Sequence, residues 1–248
     1  MRLTFSYRTD QGLVRPNNQD AFSVDLLDPR GNAALLVVAD GMGGYEGGEV
    51  ASRMAVDVVR HRVLDSSSDW AEKGALGDGL VQAVNQANLA ILRAQQEQPG
   101  RSSMGTTLTA ALIWGTRVLI AHVGDSRACL IRQSGGVVQV TTDHNVASEL
   151  YESGHLTAEE AAVHPQRHVL TRALGVSPNL NVERRELTWE QGDVLLLFTD
   201  GLSSLVSLEE IEAISRAGFA DMPQRLVDLA NARGGYDNIT VLAAWWEG

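Results

Sequence analysis

A single cysteine in 248 residues, Cys129, leaves no partner for a disulfide within the chain and no thiolate cage for a metal. Its setting, "RACLIR", reads as a strand, so the thiol is expected in the core. Positive charge is also scarce: Lys+Arg 20 against Asp+Glu 31 gives a formal net charge of -11. A nucleic-acid binder needs a basic face to displace counterions, so DNA and RNA are excluded as partners. The acidity serves either solubility alone or a site that attracts cations. No apolar run approaches the ~20 residues needed to cross a bilayer. The N-terminal "MRLTFSYRTDQGLVRP" alternates and carries charge where a signal peptide would be apolar. A cytoplasmic protein with no membrane partner is the expectation.

Familiar catalytic devices are missing too. "GMGGYEGGE" has Glu49 where a P-loop needs lysine, and its glycines miss the dinucleotide spacing. There is no G-x-S-x-G elbow, no H-E-x-x-H, and no D-x-D pair after a strand; the six histidines show no ligand spacing. Low-complexity linkers, composition shifts and fixed-period repeats are absent as well, so residues 1–248 read as one domain.

What remains is an ordinary globular composition, 44% hydrophobic and 21% charged. Residues 3–9 and 21–26 alternate like half-buried strands, and Ala33 to Ala39 is continuously apolar. A helix is predicted over 46–64, with Val50, Met54 and Val58 on one face and Ala51, Ala55 and Val59 beside them. Residues 65–79 read as a loop. A second helix turns Leu80, Val84, Ala87 and Ile91 inward and stops at Pro99-Gly100. Short strands follow from Thr106 to Val140, joined by "GT", "GDS" and "QSGG", connections too short for crossover helices, so neighbours should pair antiparallel. Residues 145–168 are more irregular, with a capping box at Thr157 and Glu160. Strands at 182–187 and 193–199, helices opened by Ser207 with Glu210 and by Asp221-Met222-Pro223, and a closing strand "NITVLAAWW" complete an α+β pattern of antiparallel sheets covered by helices.

Four aspartates sit at comparable places in that pattern. Asp40 and Asp200 end apolar strands, Asp125 follows "LIAHVG", and Asp237 precedes the last strand. A lone Asp-Gly is usually only a turn. Strand ends gathered on one rim would bring the four together, and like charges ~4 Å apart repel by about 4 kcal/mol at an effective dielectric near 20. Such a cluster demands cations or protons, and metal is the natural answer. Oxygen donors beside glycine carbonyls suit Mg²⁺ or Mn²⁺, whereas zinc recruits His or Cys. Two such ions bridged by one Asp would clamp and deprotonate a water between them, chemistry suited to attack on phosphorus. "VRPNNQDA" adds Arg15, whose planar guanidinium binds phosphate in bidentate fashion, and Asp20 five residues on. Taken alone, Arg15 reads as a surface arginine; its value comes from company.

In order along residues 15–242 run "RPNNQDA", "VVADGMGG", "MGTTLTAA", "AHVGDSRACL", "TTDHNVA", "HVLTRALG", "LLLFTDGL" and "GGYDNITVL". This series resembles the metal-dependent protein serine/threonine phosphatases (type 2C, PPM-type), particularly their compact bacterial branch. The resemblance implies two packed antiparallel sheets with helices outside, an α-β-β-α sandwich. It implies Asp40 as the bridge between two Mn²⁺ or Mg²⁺ ions, the Gly41 carbonyl as a ligand, and Asp200 and Asp237 as the other carboxylate ligands. By the same resemblance Arg15 binds the substrate phosphate, Asp20 orders metal-bound water, and Asp125 with Asp200 holds a third, looser ion. Residues 145–168 correspond to a variable flap. The implied activity is hydrolysis of phosphoserine and phosphothreonine on proteins, opposing a serine/threonine kinase in bacterial signalling.

Three positions depart from the family pattern. Gln19 stands where Glu is common, Met42 where animal members carry a histidine proposed as general acid, and Ser204 where some relatives have a third-metal carboxylate. His155, His164 and His168 in the flap are either acid catalysts or exposed helix-end residues. His144 and Asn238 read as hydrogen-bonding residues, the latter fixing the loop of Asp237. Gly105 and Thr106 read as turn-formers near the site. Two other readings stay open: a phosphoprotein-binding pseudophosphatase, favoured by Gln19 and Met42, and a small-molecule phosphatase with the same metals.

Overall fold

The structure is a computed structural model that describes residues 2–43, 47–97 and 104–247. One sheet has the order β1 (Arg2–Asp10), β11 (Ile239–Glu247), β10 (Val194–Phe198), β7 (Arg127–Ile131) and β8 (Val137–Gln139). The other runs β2 (Asp20–Leu26), β3 (Ala33–Met42), β5 (Leu108–Trp114), β6 (Arg117–Val123) and β9 (Glu183–Thr188), with the two-residue β4 (Gly105–Thr106) pairing the end of β3. Every pairing is antiparallel. Helices α1 (Gly47–Glu72) and α2 (Leu76–Glu97) cover the second sheet. Helices α5 (Asp200–Ser203), α6 (Leu208–Ser215) and α7 (Met222–Ala232) lie on the first. Two short helices, α3 (Val146–Glu152) and α4 (Ala158–Ala162), stand in the stretch between β8 and β9. No helix among the described residues is long and apolar enough to cross a membrane.

Strand period explains the layers. On β3, Leu35, Val37 and Ala39 meet the α1/α2 layer, while Ala34, Leu36 and Val38 fill the gap between the sheets. On β10, Leu195 and Leu197 face that gap and Val194, Leu196 and Phe198 face the other helices. Strands buried on both faces read as unbroken apolar runs, which is how β3 and β10 appear in the sequence. Cys129 is fully buried on β7. The capping boxes at Thr157/Glu160 and Ser207/Glu210 are both formed.

Several local expectations are corrected. The stretch 65–79 is helix on both sides of a short break: α1 continues to Glu72 and α2 begins at Leu76. Serines are weak helix formers, but tertiary contact outweighs propensity here, with Ser67 buried and the Trp70 ring laid over Gly79. The fully buried face of α1 centres on Ala51, Ala55 and Val59, with Val50, Met54 and Val58 only partly covered at its flank. The "GDS" connection does not join a hairpin: β6 and β7 belong to different sheets, and Gly124, at φ 112°, turns the chain across the gap. The first residue of the predicted first helix and its Pro99-Gly100 stop for the second lie outside the described residues.

Candidate active site

The same period that fills the inter-sheet core aims polar residues into its open end. Asp40 follows Val38 by two, so it faces the gap, and Asp20 lies directly opposite it in the β2–β3 pairing. From the other sheet Thr199 and Thr240 continue the inward positions of Leu197 and Leu242. Both hydroxyls donate to Asp20 Oδ2, at 2.9 and 2.7 Å. Each hydroxyl has one proton, so Thr240 takes its further contact with Thr9 (2.8 Å) as acceptor, and Asn18 Nδ2 donates to Thr9 in turn (2.9 Å). A relay of donors thus converges on one carboxylate and ties the sheets together. Asp20 Oδ1 and Asp200 Oδ1 are both buried without any hydrogen-bond partner.

Asp40 is fixed through its backbone. Its N–H donates to Thr107 Oγ1 (2.9 Å), and its carbonyl accepts from Thr107 N–H and Thr106 Oγ1 (both 2.9 Å). Thr107 Oγ1 also meets Ser126 Oγ at 2.8 Å, linking the end of β3 to the corner that carries Asp125. Gly105 and Thr106 form a strand pair with Met42 and Gly41, where a turn was expected. A Cβ on Gly41 would collide with the Gly48 carbonyl at the start of α1, so glycine is required for that approach.

Asp237 lies on the loop before β11. Its Oδ2 accepts from Arg15 Nη2 at 2.6 Å and its Oδ1 from the Asn238 N–H at 2.8 Å. Asn238, almost fully buried, does more than hold that loop. Its Oδ1 accepts from Gln19 N–H (2.8 Å), and its Nδ2 donates to the carbonyls of Gln11 (2.8 Å) and Asn17 (2.9 Å). The loop bearing Arg15 is therefore laced to the loop bearing Asp237.

Arg15, Asp40, Gly41, Asp125, Asp200 and Asp237 all line one cleft of ≈ 800 Å³. Asp20 is not on its wall but lies beside Asp40, across the β2–β3 pairing. The electrostatics are severe. Burial first, then the charges of Asp20, Asp200, Asp125 and Asp237, raise the Asp40 carboxyl well above the usual carboxylate range. Burial lifts Asp20 to about 7, against the lowering effect of Thr240 and Thr199. Burial and the Asp200 charge lift Asp125 to about 8. Asp200 is raised by burial and by the charge of Asp237, against the lowering effect of its neighbour Asp40. Carboxylates packed this way need protons or cations between them. Two orphaned, buried carboxylate oxygens and an all-oxygen donor set fit hard divalent ions.

A family model described as Protein phosphatase 2C matches residues 14–244. The chain belongs to the protein phosphatase 2C family. Among relatives, the serine/threonine phosphatase stp of Listeria monocytogenes is 36% identical over 244 residues, covering 95% of this chain and 93% of that one. Among solved structures, the serine/threonine phosphatase PstP/Ppp of Mycobacterium tuberculosis superposes with TM-score 0.89 at 38% identity, covering 100% of each chain. The catalytic domain of PstP in complex with 2 manganese ions matches with TM-score 0.84 at 36% identity, covering 98% of this chain and 97% of that one.

Within this phosphatase 2C member the histidines separate by position. His168 lines the cleft, its Nδ1 4.0 Å from Asp200 Oδ2, whereas His155 and His164 lie off it and bond locally to Ser153 and Gln166. His144 is buried with His122 and Glu183, ligand atoms within 4.8 Å of one another. That group is not arranged for a cation. Gly124 N–H donates to His144 Nδ1, so Nε2 carries the proton and donates to Glu183 Oε2 at 3.0 Å. His144 thus braces the Gly124–Asp125 corner. Met42 and Ser204 both line the cleft. Sequence reasoning missed Thr107, Thr199 and Thr240, whose signal was a hydroxyl at an inward-facing position ending an apolar run. It also gave no role to Arg172 and Tyr236, both on the cleft wall.

Proposed function

We propose that the chain hydrolyses phosphoserine and phosphothreonine esters on proteins, using a pair of Mn²⁺ or Mg²⁺ ions, in opposition to a serine/threonine kinase. Asp40, Asp200, Asp237 and the Gly41 carbonyl would hold the pair, Asp20 would orient water beside it, and Asp125 with Asp200 would hold a third ion. When bound, the ions supply a water of lowered pKa between them as nucleophile and neutralise charge gathering on the phosphoryl oxygens. The observation that carries the reading is the convergence of five aspartates on one cleft end, two of them with orphaned buried oxygens. The two manganese ions of the PstP catalytic domain support it.

Arg15 orients the phosphoryl group. Among the described residues only its Nη2 is engaged, by Asp237, and the guanidinium is half exposed on the cleft, leaving a fork of N–H groups for phosphoryl oxygens. Met42 has no proton for the departing alkoxide; His168, on the same wall, offers an imidazole for that role. Gln19 and Met42 leave the carboxylates and Arg15 intact, so they do not favour a binding-only protein. The test is phosphate release, with Mn²⁺ and with EDTA, from phosphothreonine peptides set against nucleotides and sugar phosphates. Metal-dependent turnover that prefers peptides is expected; turnover of metabolites alone, or none, would set the reading aside.

A further inference from the structure

Arg172 sits on a segment pinned at both ends. Leu170 bridges to Asn145, Thr171 N–H donates to the His144 carbonyl at 2.9 Å, and Leu174 exchanges backbone bonds with Thr106 at 2.9 and 3.1 Å. Gly175 N–H then donates to buried Asn88 Oδ1 at 2.7 Å. The side chain between these anchors is partly buried and lines the cleft. Among the described residues it has no hydrogen-bond or ion-pair partner. In this chain of 31 acidic residues, the other partly buried arginines among the described residues found theirs: Arg60 with Asp25, Arg127 with Asp143, Arg132 with Asp193, Arg225 with Asp221. A half-desolvated guanidinium held on a rigid wall without an acceptor is arranged for one that arrives from outside.

Its place on the rim says which. Residue pairs Asp20–Asp40, Gly41–Thr106 and Thr106–Leu174 set the lateral order β2, β3, β4, then the Arg172 segment. Arg15 lies five residues before β2, against Asp237 on the loop before β11, and it lines the same cleft as Arg172. Three strand spacings of ~4.8 Å set β2 ~14 Å from the Arg172 segment, a cleft scale equal to about four residues of extended peptide. We propose that Arg172 binds an anionic side chain of the phosphoprotein substrate, a carboxylate or a second phosphate, about two to five residues from the phosphorylated one. This rests on the protein-phosphatase reading above. The planar fork suits either anion, and a cation on this flank offsets the repulsion that an acidic cleft in an acidic protein presents to such sequences.

The test uses phosphothreonine peptides of one length with alanine flanks. Variants place one glutamate, one phosphoserine or one lysine at each position from two to five on either side. The readout is the ratio of kcat/KM for an anion-bearing peptide to that for the alanine-flanked one, with Mn²⁺ present. Wild type is expected to show a ratio of about ten at the best position, falling to about one in Arg172→Ala. In Arg172→Glu the lysine peptide should become the better substrate, which a purely structural arginine would not produce. Comparing the glutamate and phosphoserine arms identifies the preferred anion. No wild-type preference at any position, or a ratio unchanged in Arg172→Ala whatever the overall loss, overturns the proposal. Failure of wild type to turn over even the alanine-flanked peptide would instead strike the protein-phosphatase reading itself.

Discussion

Asp20 lies directly opposite Asp40 in the antiparallel pairing of β2 with β3, two carboxylates on neighbouring strands facing one gap. Like charges so placed oppose folding. The fold tolerates the pair because Thr199 and Thr240 hold one Asp20 oxygen and because a cation can be drawn to the rest. Asp40→Asn should therefore separate function from stability. Activity with Mn²⁺ is expected to fall by about a thousandfold, since a carboxylate proposed to hold the ions is gone. In EDTA the variant should melt higher than wild type by about 2–4 °C, the shift expected for ~1 kcal/mol of relieved repulsion in a chain of this size. A lower melting point in EDTA with activity retained would contradict both halves.

Protonation gives a second handle. Burial raises Asp20 from 3.8 to about 7 and Asp125 from 3.8 to about 8. The folded metal-free protein therefore keeps protons that the unfolded chain has already released, and its stability falls as pH rises through that window. His122, pushed down to about 4 by burial, works the other way below its unfolded value of 6.5, so the clean comparison is pH 6.5 against pH 8. Without metal, the melting temperature should be higher at pH 6.5. Mn²⁺ at 100 times its dissociation constant should restore about 2.7 kcal/mol at pH 8. Its binding should release protons, seen as calorimetric heats that change with the buffer's ionisation enthalpy. Buffer-independent heats would mean the ion displaces no protons, contrary to the carboxylate site.

Asn238 joins the loop of Arg15 to the loop of Asp237 through three side-chain hydrogen bonds. Asn238→Ala would strand the Gln19 N–H and two carbonyls, costing about 1–3 kcal/mol of stability. The functional cost should travel through Arg15. A loss in kcat/KM of about tenfold is expected for Asn238→Ala, and Arg15→Ala should add less in that background than alone. Strictly additive losses would show that the two residues act independently.

These dependencies explain what could be read without coordinates. The apolar runs of β3 and β10, each ended by an aspartate, carried their own signal because strands buried on both faces leave no alternation to misread. Ordered motifs then named Arg15, Asp20, Asp125 and Asp237. The layer of hydroxyls between core and carboxylates was harder to read. Thr107, Thr199 and Thr240 are common strand residues, and only the pairing of two sheets turns them toward Asp40 and Asp20. The "GDS" corner misled for the same reason, since a connection of that length fits a hairpin as well as a change of sheet. Arg172 falls inside the motif "HVLTRALG" yet carried no role there, because its meaning lies in the partner it lacks among the described residues.

The departing serine or threonine alkoxide needs a proton, and Met42 cannot give one. His168 is on the cleft wall, near Asp200, while His155 and His164 are not. If it is the donor, its importance must scale with how poor the leaving group is. His168→Ala is expected to slow kcat for phosphoserine peptides by about ten- to a hundredfold, the size typical of lost acid catalysis. With p-nitrophenyl phosphate, whose leaving group departs as a stable anion, the loss should be about threefold or less. His168→Gln, which keeps a hydrogen-bonding side chain without an acid, should behave like the alanine variant. Equal losses on both substrates would assign His168 to cleft shape or to the surroundings of Asp200 and leave the proton to metal-bound water.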